Sequence, residues 1–146
     1  MCECYPYTTL VGAEELGYDD ERPRYKRKPK ALRVAEWRPR RAAACDELIR
    51  RIASLRLVDP PLDLRSHAAS RCLLDEESPE GDRDYKRRED LIDAVLCAWT
   101  AALWWRFGEL RCQALGLTPD VDGAQPAMIA PCRPEQRVAI RAAGRP

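Results

Sequence analysis

The chain has 146 residues, a formal net charge of +1, and 45% hydrophobic and 34% charged residues. That length supports a single modest core, and near-neutrality excludes recruitment of nucleic acid or membrane by an overall field. Arginine outnumbers lysine by 21 to 4; this is the bias of GC-rich coding, so arginine abundance alone is no evidence for phosphate binding.

The opening CECYPY reads as the end of a strand stopped by Pro6, with Cys2, Cys4 and Pro6 on one face and Glu3 and Tyr5 on the other. No basic-then-apolar leader is read in these residues. Seven cysteines stand at 2, 4, 45, 72, 97, 112 and 132. An odd, scattered set fits a reduced, cytoplasmic interior in which thiols serve as small buried hydrophobes. Cys2 and Cys4 form a CxC, but no second pair follows at zinc-ligand spacing and His67 is the only histidine. No zinc site is expected.

From Tyr18 to Arg41 three prolines and weak periodicity predict a long loop with one short helix at most. Residues 21–51 hold twelve Lys/Arg against four Asp/Glu, a local net of +8. Two readings stay open for this stretch. It is a solvated loop, or it is an arm in which Arg24, Lys26, Lys28 and Lys30 contact phosphates while Tyr25 and Trp37 stack on bases.

Pro39 suits the first turn of the next helix, where its missing N–H costs nothing. Cys45, Leu48, Ile49, Ile52 and Leu55 then recur at spacings of three and four and define one buried stripe. Asp59-Pro60-Pro61 ends this helix. A short helix is expected around Ala68 to Leu74, followed by an acidic loop from Asp75 to Asp84. A second long helix is expected from near Asp84 to about Leu115, with a break at Gly108 as an alternative. The loop LTPDVDGAQP, a closing strand AMIAP and a polar, disordered tail over 133–146 complete the reading.

The second long helix carries the chemistry. Leu91, Ile92, Val95, Ala98, Trp99, Ala102 and Leu103 share one side of its wheel, and Asp90, Asp93, Cys97, Thr100 and Trp104 the other. From Ala94 to Trp105 there are twelve residues without a charge, far short of the ~20 needed to span a bilayer but enough to imply burial on all sides. Asp93 then stands where the helix enters the core. Two carboxylates one turn apart repel each other, and burial raises the cost of ionising either. A divalent cation relieves both penalties, and Mg²⁺ or Mn²⁺ suits an all-oxygen site. The alternative is dipole compensation at a helix N-terminus, which accounts for Glu89 and Asp90 without a metal.

Four motifs in order resemble a known pattern: Glu3-Cys4-Tyr5-Pro6, Tyr25-Lys26-Arg27-Lys28, Asp90-Leu91-Ile92-Asp93-Ala94 and the closing AMIAP. Together they resemble the bacterial domain-of-unknown-function 429 family, described as predicted RNase H-like nucleases. The resemblance implies an α/β chain forming the C-terminal half of an RNase H-like fold, over residues 1–132, with two long helices and two or so short strands. It implies catalytic and metal-binding roles for Glu3, Asp90 and Asp93 around divalent cations that promote phosphodiester hydrolysis. The N-terminal strands of that fold, including one with an essential aspartate, have no counterpart here. The chain is therefore expected to be a fragment or to carry a mis-called start, to be inactive as a nuclease, to be marginally stable, and to self-associate through an exposed strand edge. The competing expectations are a non-catalytic nucleic-acid or protein interaction module of the same fold, and a cysteine-rich regulatory domain that uses Cys2 and Cys4.

Overall fold

A computed structural model of the chain describes residues 2–19, 21–116 and 127–137. The expected loop at 117–126 and the tail from 138 onward lie outside the described residues. The class is mixed α/β, as the sequence implies. By internal packing the chain divides into two compact units: Met1–Asp19 with Leu96–Pro146, and Asp20–Val95.

The first unit is built on a three-stranded sheet of order β1-β3-β2. Strand β1 (Cys2–Cys4) lies parallel to β3 (Ala127–Pro131), with Glu3 opposite Met128; β2 (Cys112–Leu115) runs antiparallel to β3, with Cys112 opposite Pro131. Pro6 does stop the strand, and it also starts helix α1 (Pro6–Gly12), a helix that the sequence reading lacks. Its fixed φ and missing N–H suit a first helical turn. At the other end of α1, a Cβ on Gly12 would fall 2.0 Å from the carbonyl oxygen of Pro131, so only glycine lets α1 lie this close to β3. Leu10, Leu16, Leu96, Trp99, Leu103, Cys112 and Ile129 are buried in this unit. Thr9 and Thr100, both fully buried, satisfy each other through a 2.6 Å hydroxyl contact, and Thr100 also donates to the Leu96 carbonyl.

The start of the expected disordered tail is tied down. Arg133 donates to the carbonyls of Val11 and Tyr18 and pairs with Asp19 at 2.7 Å, and Arg137 pairs with Glu14 at 2.7 Å.

The second unit opens on residues 21–33, which form no helix or strand. Helix α2 (Val34–Ser54) then begins five residues before Pro39. The Glu36 carboxylate accepts from the Arg33 backbone N–H at 3.4 Å, which marks the true start. Pro39 thus sits inside the helix, where it removes one backbone bond. It lies on the exposed face, where water can satisfy the carbonyl left over. The earlier start extends the buried stripe to Trp37, Arg41, Cys45, Leu48, Ile49 and Ile52. Helix α3 (Ala68–Asp75) falls where expected, and His67 caps it by accepting from the Ala69 N–H at 3.1 Å.

Helix α4 (Asp82–Phe107) begins in the second unit and runs on into the first. It is not buried on all sides. Tyr85, Arg88, Ile92, Val95, Leu96, Trp99 and Leu103 are buried, whereas Ala94, Ala98, Ala101 and Ala102 are exposed and Trp105 is 92% exposed. The absence of charge along this face reflects small side chains rather than enclosure. The helix ends at Gly108, the break that the sequence offers as the alternative to a run to Leu115. Gly108 adopts φ +50°, a 3-10 turn follows over Gly108–Leu110, and residues 112–115 form β2 rather than a last helical turn.

Two arginines organise the second unit. Arg88, buried to 6% exposure, donates from Nε to Ser78 Oγ at 2.8 Å and from its terminal nitrogens to the carbonyls of Cys72, Leu73 and Glu76. The Leu73 carbonyl, an orphan of the last turn of α3, thereby finds a donor, and the Cys72 carbonyl, which already accepts from the Glu76 N–H, gains a second. Arg41 stacks 3.8 Å above the Tyr85 ring and reaches Asp82 Oδ1 and the Glu80 carbonyl, each at 3.0 Å, which fixes the start of α4.

Candidate metal centre on helix α4

Asp93 and Asp90 sit on the first half of α4, and Glu89 joins them. One carboxylate oxygen from each of the three lies within 4.8 Å of the others. Positions i, i+1 and i+4 bring this about: Asp93 stacks one turn beyond Glu89, and Asp90 flanks both. Glu89 and Asp93 are half-buried and Asp90 is exposed. Among the described residues this is the only group of three or more potential metal ligands.

The sequence offers dipole compensation for both Glu89 and Asp90, and the family resemblance implies Glu3 beside Asp90 and Asp93. Glu3 lies on β1 of the first unit, with an exposed side chain. Within the second unit the carboxylate that joins Asp90 and Asp93 is Glu89. The i, i+4 spacing of Glu89 and Asp93 was the available clue.

The acidic trio is matched by lysines. Lys86 bridges Glu89 at 2.9 Å and Asp90 at 2.5 Å, and its ammonium is raised well above its ordinary pKa by the bond to Asp90 and then by that to Glu89. This pair is solvated, so its contribution to stability is small. Asp93 is held more tightly. The Tyr25 hydroxyl donates to Oδ1 at 3.0 Å, and the Lys26 ammonium forms a short ion pair with Oδ2. Tyr25 itself is locked, because its carbonyl accepts from the buried Tyr85 hydroxyl. Burial pushes the Tyr85 phenol well above its usual range, so it remains a donor.

These contacts correct the picture of the basic stretch. Tyr25 is 0% exposed and Trp37 is 5% exposed. Both rings belong to the core of the second unit, and neither is presented for base stacking. Lys26 is turned onto Asp93, with only 16% of its side chain exposed. Arg24, Arg27, Lys28 and Lys30 are exposed, with Arg24 near Glu21 at 3.4 Å and Lys28 donating to the Leu32 carbonyl at 2.8 Å. The phosphate-facing part of the expectation therefore narrows to Arg24, Lys28 and Lys30, with Arg27 exposed beside them.

The donor set fits a hard divalent ion. Three carboxylates offer only oxygen, the ligand type of Mg²⁺ and Mn²⁺, and one helical turn leaves the remaining positions to water. No sulfur or imidazole contributes. Free thiols at Cys45, Cys112 and Cys132 are buried, and desolvation raises each above the ordinary thiol pKa, Cys112 to about 12. They are inert hydrophobes in this setting. Among the described residues no helix is long and apolar enough to cross a membrane. No protein-family model, no curated protein and no solved structure matches the chain.

Proposed function

We propose that the chain handles phosphodiesters through a divalent cation, as part of an RNase H-like, nuclease-type site, and that Glu89, Asp90 and Asp93 are its cation ligands. The single observation that carries this reading is the trio of carboxylate oxygens within 4.8 Å on one turn of α4. The resemblance of Glu3-Cys4-Tyr5-Pro6, Tyr25-Lys26-Arg27-Lys28 and Asp90-Leu91-Ile92-Asp93-Ala94 to the family of predicted nucleases supports it. A cation bound there would supply Lewis acidity toward a phosphoryl oxygen and lower the pKa of a bound water.

The residues of the chain contribute charge and placement. Glu89, Asp90 and Asp93 set three carboxylates against the ammonium groups of Lys26 and Lys86, and their oxygen-only ligation suits a hard divalent ion. The neighbouring segment carries Arg24, Arg27, Lys28 and Lys30 in exposed positions, a row of cations suited to a phosphate backbone. Within the second unit the same segment is joined to the carboxylate turn through Tyr25 and Lys26.

A second reading is favoured by one observation. The Lys26–Asp93 ion pair satisfies the carboxylate without any metal, as expected of a non-catalytic module whose aspartate anchors a basic loop. The two readings separate in an oligonucleotide assay with Mg²⁺ or Mn²⁺ and with chelator. The cation reading expects cleavage, or cation-strengthened binding, that is lost in Asp93→Asn. Salt-sensitive binding that is the same with chelator and with metal would establish the non-catalytic module instead.

A further inference from the structure

We propose that the second unit carries a binding site for a small apolar α-amino acid. None of its residues belongs to the carboxylate turn, and it stands independently of the cation reading. The site is a cavity of about 310 Å³ formed by the end of α2, the 3-10 turn over Leu55–Leu57, the loop 62–66 and helix α3. Ala53, Leu64 and Leu74 give it an apolar floor; Leu64 is buried and the other two are half-buried. Arg56, Asp63 and Arg65 complete the lining from exposed positions. An apolar hollow of this size with a few polar groups is the usual form of a small-molecule site.

Three observations select the ligand. First, among the described residues the Arg56 and Arg65 guanidiniums form no hydrogen bond or ion pair, whereas Arg50 and Arg51 both pair with Glu47. Two guanidiniums at one cavity, each with its fork of N–H donors unengaged, suit a carboxylate. Second, Asp63 brings the opposite charge. Its Oδ1 accepts from the Arg65 backbone N–H at 2.8 Å, and among the described residues no cation pairs with it. A ligand with a carboxylate alone would meet a like charge there, while one that also carries an ammonium gains a partner. The apolar floor then takes the side chain. Third, the loop is fixed before any ligand arrives. The Leu62 N–H donates to the Leu55 carbonyl at 3.1 Å, Ser70 Oγ to the Leu64 carbonyl at 2.8 Å, and the Arg71 guanidinium to the Arg65 carbonyl at 3.0 Å. Little ordering of backbone therefore opposes binding. Carboxylate, ammonium and apolar side chain on one small molecule describe an aliphatic or aromatic α-amino acid.

The test is a titration of the full chain with L-leucine and L-phenylalanine, followed by amide chemical shifts in nuclear magnetic resonance. At least one of the two should give saturable shifts centred on residues 53–74. Leucinamide, which lacks the carboxylate, should bind at least about tenfold more weakly than leucine, and so should leucine to the double variant Arg56→Gln with Arg65→Gln. N-acetylleucine, which lacks the ammonium, and the variant Asp63→Asn, whose amide oxygen still accepts from the Arg65 N–H, should each weaken binding by about threefold or more. Circular dichroism establishes that the variants are folded; if the arginine variant is not, the comparison of leucine with leucinamide on the wild type decides the same point. No saturable shift from either amino acid up to about 10 mM overturns the site. Equal affinity for leucine and leucinamide overturns the role of the arginines, and N-acetylleucine binding as tightly as leucine overturns the amino-acid assignment.

Discussion

Replacing Arg88 by methionine is the most demanding test of how the second unit is held. The guanidinium is buried and serves Ser78 Oγ at 2.8 Å and the carbonyls of Cys72, Leu73 and Glu76 at the end of α3. Methionine fills most of the volume but donates nothing. The bonds to Ser78 and Leu73 are the buried ones. Each such acceptor left without a partner costs about 1–3 kcal/mol. Two such acceptors give about 2–6 kcal/mol, and relief from holding a guanidinium out of water returns part of it. The net expected loss is about 3 kcal/mol, a large share of the roughly 5–15 kcal/mol that holds a typical domain together. With a urea m-value of about 2 kcal/mol per molar, the unfolding midpoint should fall by about 1.5 M. In a wild type of lower stability, the variant would be unfolded without denaturant. Urea unfolding followed by far-ultraviolet circular dichroism reads either result. A midpoint equal to or above wild type would mean that Arg88 is a tolerated burial rather than the cap that closes α3.

Three further outcomes follow from other parts of the structure. Gly12→Ala should destabilise the first unit by about 1–3 kcal/mol, because the added Cβ meets the Pro131 carbonyl oxygen at 2.0 Å; thermal unfolding indistinguishable from wild type would show that α1 does not lie against β3. Stability should be flat through neutral pH and fall above about 8.5, where unfolded thiols ionise, since burial raises the folded pKa values of Cys45 and Cys112, so that the folded state keeps protons the unfolded state has lost. Urea midpoints under reducing conditions that are unchanged between pH 7 and 10 would contradict that burial. Replacing Arg24 and Lys28 together by alanine should reduce the salt dependence of oligonucleotide binding by about one unit per lost phosphate contact, and an unchanged slope measured by fluorescence anisotropy would return this segment to a solvated loop.

The parts legible in the sequence are those fixed by local periodicity and punctuation. The α2 stripe from Cys45 to Leu55, helix α3 and the strand AMIAP each announce themselves within a few residues. Pro39 misled because proline favours a first helical turn, while the Glu36 bond to the Arg33 N–H that starts α2 is a weaker pattern upstream. That shift of five residues moved Trp37 from a basic loop onto the buried stripe. Tyr25 was beyond local reach, since its partners Asp93 and Tyr85 are 68 and 60 residues away. Nothing near Tyr25 in sequence separates a core tyrosine from a stacking one. In α4, uncharged residues at Ala94, Ala98, Ala101 and Ala102 read as enclosed because hydropathy counts the lack of charge and not the presence of a neighbour. In the site itself, Asp90 and Asp93 were legible from their spacing. Glu89 was visible but assigned to the helix dipole, because a carboxylate near a helix start satisfies that explanation equally well.

The central claim is that Glu89, Asp90 and Asp93 bind a divalent cation together, and Mn²⁺ binding followed by electron paramagnetic resonance tests it most directly. Free Mn²⁺ gives a sharp six-line spectrum that is lost on binding, so the titration reports occupancy without requiring turnover. The wild type should take up one equivalent, and Glu89→Gln and Asp93→Asn, which remove charge while keeping shape, should each weaken uptake by at least tenfold, about 1.4 kcal/mol. A wild-type spectrum that stays that of free Mn²⁺, or an Asp93→Asn titration that overlays the wild type, would contradict the claim and leave the carboxylate turn as a lysine-paired helix surface.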